Sequence, residues 1–140
     1  MATSALSLTP RSASSTAGAL PLVGRILIAT IFLLSGLSKL TAPTATIGYI
    51  ASAGLPAPML AYAVALATEL GGGLLLVLGY RTRLVAAALA VFTIATALGF
   101  HHDFADQNQF IHFFKNLAMA GGLLQVTAFG GGALSVDARQ

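Results

Sequence analysis

The sequence predicts an all-α fold: an integral membrane four-helix bundle, connected up-and-down, with both termini cytoplasmic. Three observations predict it. Charged residues make up 8% of the 140-residue chain, whereas a soluble domain carries roughly 25%. Hydrophobic residues reach 56%, with a mean hydropathy of +0.86. The apolar residues also gather in four runs of about 18–21 residues, each long enough for a hydrocarbon core of about 30 Å at 1.5 Å per residue. None of the runs alternates like a barrel strand, and the polar outer faces of a soluble helix bundle are missing.

Residues 1–19, rich in Ser, Thr and Ala, are expected to form a disordered N-terminal tail, leaving 20–140 as the transmembrane domain. Little positive charge precedes the first apolar run, and that run is long, so it reads as a retained span rather than a cleaved signal. The first span covers about 20–40. A Pro- and Gly-containing connection follows, with room for a short interfacial helix near Tyr49. Pro56-Ala57-Pro58 then opens the second span, about 59–78, because proline suits the first turn of a helix. Gly79-Tyr80-Arg81-Thr82 is a tight turn into the third span, about 83–100. A polar loop carrying Asp103 and Asp106 leads to the fourth, about 110–129, and Gly130-Gly131-Gly132 reads as a helix stop and flexible turn. An even number of spans gathers Arg11, Arg25, Arg81, Arg83 and Arg139 on one side and Lys39, Asp103 and Asp106 on the other. The positive-inside rule makes the arginine side cytoplasmic.

Composition excludes several function classes. The net charge of +3 is scattered singly among apolar runs, so no basic stripe exists to follow a nucleic-acid backbone. With no cysteine, there is no disulfide framework, no iron–sulfur cluster on cysteine ligands and no covalent haem. The glycine clusters lack the strand and βαβ context of a nucleotide fingerprint, and no nucleophile elbow can be assembled. Whether the chain is an enzyme is left open by its residues.

The informative feature is charge inside the apolar runs. Glu69 lies about ten residues into the second span, where an unpaired carboxylate costs on the order of 3 kcal/mol. Ala61, Ala65, Glu69 and Gly73 form a small-residue stripe that turns Glu69 toward a neighbouring helix. Arg25 and Lys115 are its expected partners, each roughly 7 Å of axial rise from its depth. Arg25, Ala29, Phe32, Gly36 and Lys39 share one face of the first helix. His112, Lys115, Asn116 and Met119 share a broad face of the fourth. Such a zone is either an ion pair fixing helix register, a site for a small polar or quinone-like ligand, a proton relay, or a water-filled crevice. His101, His102 and His112 fall near one membrane edge and are weak candidates for metal or haem ligation with Asp103 or Asp106. No spacing such as HExxH supports them, so no metal is expected.

Several of these residues together resemble the DoxX family. They are Gly24-Arg25, Ser35-Gly36-Leu37-Ser38-Lys39, Glu69 with its following glycines and Leu78-Gly79. Further along come Phe114-Lys115-Asn116, Gly121-Gly122-Leu123-Leu124 and Gly132-Ala133-Leu134-Ser135-Val136-Asp137, in order from about Leu22 to Arg139. Gly99-Phe100-His101-His102 looks most like the small bacterial members. The resemblance implies a four-helix protein of the bacterial inner membrane, in a family associated with quinol oxidase and thiosulfate:quinone oxidoreduction. It carries family positions onto Arg25, Lys39, Glu69, Lys115 and Asn116. The functional expectation is an accessory or quinone-interacting component of a membrane redox system. Its partners would be the bilayer, a redox-complex subunit or a second copy of the chain. The rival expectation is a small transporter, a proton-conducting bundle or a membrane scaffold.

Overall fold

The computed structural model describes residues 15–140, and among them every regular element is a helix. Helix α1 spans Ser15–Thr41 and α2 spans Pro43–Ser52. Helix α3 (Pro58–Leu66), a π-helical turn (Ala67–Gly72) and α4 (Gly73–Leu78) form one continuous rod. Helix α5 covers Thr82–Phe100 and α6 covers Gln107–Phe129. Because α1 already starts at Ser15, its first turn occupies part of the stretch expected to be tail; residues 1–14, Arg11 among them, lie outside the described residues.

Local chemistry sets the boundaries. Pro43 and Pro58 stand in the first turns of α2 and α3, where a missing N–H costs nothing and the fixed φ is already helical. The rod ends at Gly79, whose φ of +69° lets its N–H turn back to the Leu75 and Leu76 carbonyls. Asp106 caps α6 by accepting a 2.9 Å hydrogen bond from the Gln109 N–H.

Helix α1 runs antiparallel to the α3–α4 rod, with Gly36 against Leu70 and Leu33 against Gly73. A Cβ at Gly36 would lie 2.7 Å from Leu70, so the small residues set how closely the two backbones approach. Arg25, Ala29, Phe32 and Gly36 are all buried, which is the α1 face that the helical period picks out. Helices α5 and α6 form the most extensive pair, and Ala29, Phe32, Leu76, Leu89 and Leu123 meet in the common core.

The exterior is apolar. Leu27, Leu60, Leu84, Val91 and Leu98 stand exposed along the long helices, a surface that suits acyl chains and not water. Three helices are long and apolar enough to cross a membrane: Gly18–Thr41, Pro58–Leu78 and Thr82–Phe100. Helix α6 has 23 residues, but His112, Lys115, Asn116 and Gln125 interrupt its hydrophobicity.

Two features depart from expectation. The second span, expected over about 59–78, contains a π turn that widens it at Glu69. Nor are the glycines after Phe129 a flexible turn, because Gly131 is buried against Thr82 and Ser135. The chain there folds back under the bundle. Val136 N–H donates to the Leu78 carbonyl at 3.1 Å and Asp137 N–H to the Gly79 carbonyl at 3.0 Å. The Asp137 carboxylate in turn accepts from the Arg81 and Thr82 N–H groups, both at 2.7 Å, at the start of α5.

Candidate functional site

A cavity of about 410 Å³ opens between α1, α2, α3, α5 and α6, within the size range of small-molecule sites. Ile31, Phe32, Val64, Ala65, Phe92 and Met119 supply apolar walls. The polar lining is sparse, and it comes from residues far apart in sequence.

One polar group is an ion pair. Lys39 Nζ donates to Glu69 Oε1 at 2.9 Å and to Ser35 Oγ at 2.7 Å, and Ser35 Oγ donates to the same carboxylate oxygen at 3.2 Å. Ser35 and Lys39 sit one helical turn apart on α1, so both reach the carboxylate from one face. Tyr62 Oη donates to the Lys39 carbonyl at 3.2 Å, tying the top of α1 to α3. Glu69 is 4% exposed, and its Oε2 has no hydrogen-bond partner among the described residues. A buried acceptor left without a donor costs about 1–3 kcal/mol. Its setting in a π turn adds a second irregularity, of a kind often found at functional sites.

The other polar group comes from the α5–α6 hairpin. The His101 and His112 rings stack with centroids 5.1 Å apart, and both line the cavity with Asn116. His112 and Asn116 are four residues apart and share one face of α6. The His101 and Asn116 side chains are half-buried and that of His112 is exposed at the cavity edge. Burial, and then the neighbouring His112, push the pKa of His101 below the usual imidazole value. Tyr49 of α2 covers this end by stacking on Phe100 at 5.4 Å. From Thr93 to His101 at its C-cap, the cavity wall follows the last turns of α5, a rise of about 12 Å.

The sequence-derived site therefore divides. Lys39, Glu69 and Asn116 come together at the cavity, joined by His101 and His112. Arg25 does not pair with Glu69. It is fully buried at the opposite end, where Nη1 donates to the Leu76 and Val77 carbonyls at 2.9 and 3.0 Å and Nη2 to the Leu134 carbonyl at 2.6 Å. The expectation failed because it assumed that the two spans are centred at one depth. The packing instead sets Gly36 against Glu69 and Arg25 against Gly79, which separates Arg25 from Glu69 by roughly 15 Å of helix rise.

Lys115 is not the partner either. It is exposed and absent from the cavity lining, because at 100° per residue it points about 60° away from His112 and 100° from Asn116. His102 is exposed and faces a separate small pocket with Asp103 and Gln109. Among the described residues no group of three or more His, Asp or Glu is placed to hold a metal ion.

What the expected partner assignment overlooked was Lys39, although the shared α1 face contained it. The signal was present in Ser35 and Lys39, whose one-turn spacing places two donors toward a single acceptor. The stacking of His101 on His112 follows from a hairpin short enough to bring both to the same end.

The family DoxX matches the chain over residues 20–102. Inner membrane protein YqjF of Escherichia coli K12 is 40% identical over 116 residues, covering 83% of this chain and 88% of the relative. Inner membrane protein YphA of the same organism is 37% identical over 124 residues, covering 84% of this chain and 88% of the relative. No solved structure matches the chain. The region matched by the family contains Ser35, Lys39, Glu69 and His101, whereas His112 and Asn116 lie beyond it.

Proposed function

This chain belongs to the DoxX family of membrane proteins, and from that premise we propose that it binds a quinone-class ring in the intramembrane cavity, as an accessory or quinone-interacting component of an inner-membrane redox system. In this reading α6 is the fourth span, the arginine-rich end is cytoplasmic, and the α5–α6 hairpin faces the opposite side.

The observation that carries the reading is the composition of the cavity wall: apolar side chains over most of its length and a few polar groups near Glu69 and His101. A ring with carbonyl or hydroxyl groups on an apolar body matches that division. Lys39 and Asn116 would donate to its oxygens, and Glu69 would balance charge. Arg25 is left to the architecture, since its three hydrogen bonds go to backbone carbonyls.

The test is calorimetric titration of 2-methyl-1,4-naphthoquinone into the protein in lipid nanodiscs. Saturable binding with micromolar affinity is expected. Ala61→Trp, which places an indole in the cavity, should weaken it at least about tenfold, the loss of roughly 1.4 kcal/mol. Absence of binding to the folded wild type refutes the reading.

A second reading follows from Glu69, a buried carboxylate in a cavity wall: proton or ion conduction through the bundle. Liposome flux that is lost in Glu69→Gln while the protein stays folded would replace ligand binding by transport.

A further inference from the structure

We infer that the His101–His112 pair is a proton-accepting handle for an anionic head group, so that the cavity takes up a negatively charged amphipathic ring together with one proton. The inference rests on the ligand-binding reading of the cavity and names the charge of the ligand that reading leaves open.

The charges facing the cavity can be taken element by element. Helix α1 contributes Lys39, α2 contributes Tyr49, and α3 contributes no ionisable group. The π turn contributes Glu69, the residue capping the end of α5 contributes His101 and α6 contributes His112. His102 and Asp103 stand outside it, at the neighbouring small pocket. Lys39 and Glu69 neutralise one another at 2.9 Å, so the imidazoles alone decide the net charge of the site. With both rings neutral the cavity is uncharged, and with one protonated it carries a single positive charge.

Geometry keeps the empty pair from carrying two charges and disfavours one on His101. Two rings 5.1 Å apart cannot both be charged without strong repulsion. His101 is buried enough to disfavour its own cation. Neither ring has a carboxylate partner among the described residues. An anion entering the cavity supplies that partner. The proton comes from bulk water and goes to a ring nitrogen of the pair; no bond in the ligand breaks. Anion affinity should therefore rise as pH falls, because the complex binds a proton that the empty site lacks. A neutral ligand of the same size should show no such dependence.

The experiment compares 2-hydroxy-1,4-naphthoquinone, ionised throughout the range used, with neutral 2-methyl-1,4-naphthoquinone. Both are titrated calorimetrically into the full chain in nanodiscs between about pH 8 and pH 6, where imidazoles titrate. Two buffers of different ionisation heat count the protons taken up. The hydroxy compound should gain affinity by up to about tenfold per pH unit with uptake of close to one proton, and the methyl compound should change less than about twofold. His101→Gln combined with His112→Gln should flatten the hydroxy compound's pH profile. If that variant does not fold, the wild-type comparison decides alone. A flat profile for the hydroxy compound, or equal slopes for both, overturns the inference while ligand binding stands. Binding of neither compound overturns both.

Discussion

Replacing Arg25 by Met should destabilise the protein without reaching the cavity. The guanidinium donates to three carbonyls, of which those of Leu76 and Val77 belong to the last turn of α4 and that of Leu134 to the returning C-terminal segment. Carbonyls at a helix end lack an intrahelical N–H; Arg25 satisfies that of Val77, adds to the Gly79 N–H at that of Leu76, and joins α1, α4 and the C-terminal segment at one point. Hydrogen bonds to a charged group contribute about 1.5–3 kcal/mol each. Three would exceed 4 kcal/mol in sum, but removing the buried guanidinium also relieves its desolvation cost. The net expectation for Arg25→Met is a loss of about 3 kcal/mol, near the lower end for breaking a buried charged network. Arg25→Lys keeps the charge but not the planar fork, so it forfeits one or two bonds and about 1–2 kcal/mol. The assay is reversible unfolding in mixed micelles, followed by helical circular dichroism. A loss below about 1 kcal/mol in Arg25→Met, the size of one ordinary hydrogen bond, would refute the clasp. Ligand binding supplies an independent check. Arg25→Lys should bind naphthoquinone as the wild type does, because roughly 15 Å of helix rise separates it from Glu69. Lost affinity in the folded variant would return Arg25 to the site.

Two more predictions concern the other charges. Lys39→Met leaves Glu69 buried beside Ser35 alone, so it should cost more stability than Lys39→Met combined with Glu69→Gln. A double-mutant cycle read by the same unfolding assay should give a coupling of about 1–3 kcal/mol, and additivity within about 0.5 kcal/mol would deny the pairing. At the opposite end, Thr82 first, and with it the Arg81 N–H, holds the Asp137 carboxyl below the usual carboxylate range. A lowered folded-state pKa contributes stability above the unfolded value and loses it as pH falls through the folded one. Thermal unfolding of the wild type should therefore show an acid-side decline that Asp137→Asn reduces, and identical profiles for the two would contradict the cap.

Much of the fold was legible because its signals are local. Long apolar runs mark the helices, prolines mark the starts of α2 and α3, and Gly79 marks the end of α4. The 3.6-residue period picks out Arg25, Ala29, Phe32 and Gly36 as the inward face of α1, since rotation about a helix axis depends on sequence spacing alone. The burial of Glu69 was readable in the same way, from the small residues sharing its stripe.

Which charge meets which was not readable, because that depends on how far one helix slides along another. A slide of one turn moves a side chain by 5.4 Å, enough to exchange one partner for the next, and close packing at Gly36 and Gly73 fixes it. By itself the sequence determined that this chain is helical, membrane-embedded and charged on its inner faces, because composition and periodicity act residue by residue. Only the tertiary structure decided that Lys39 pairs with Glu69, that Arg25 clasps the far end and that His101 stacks on His112. Each of these contacts joins positions whose separation along the chain says nothing about their relative depth.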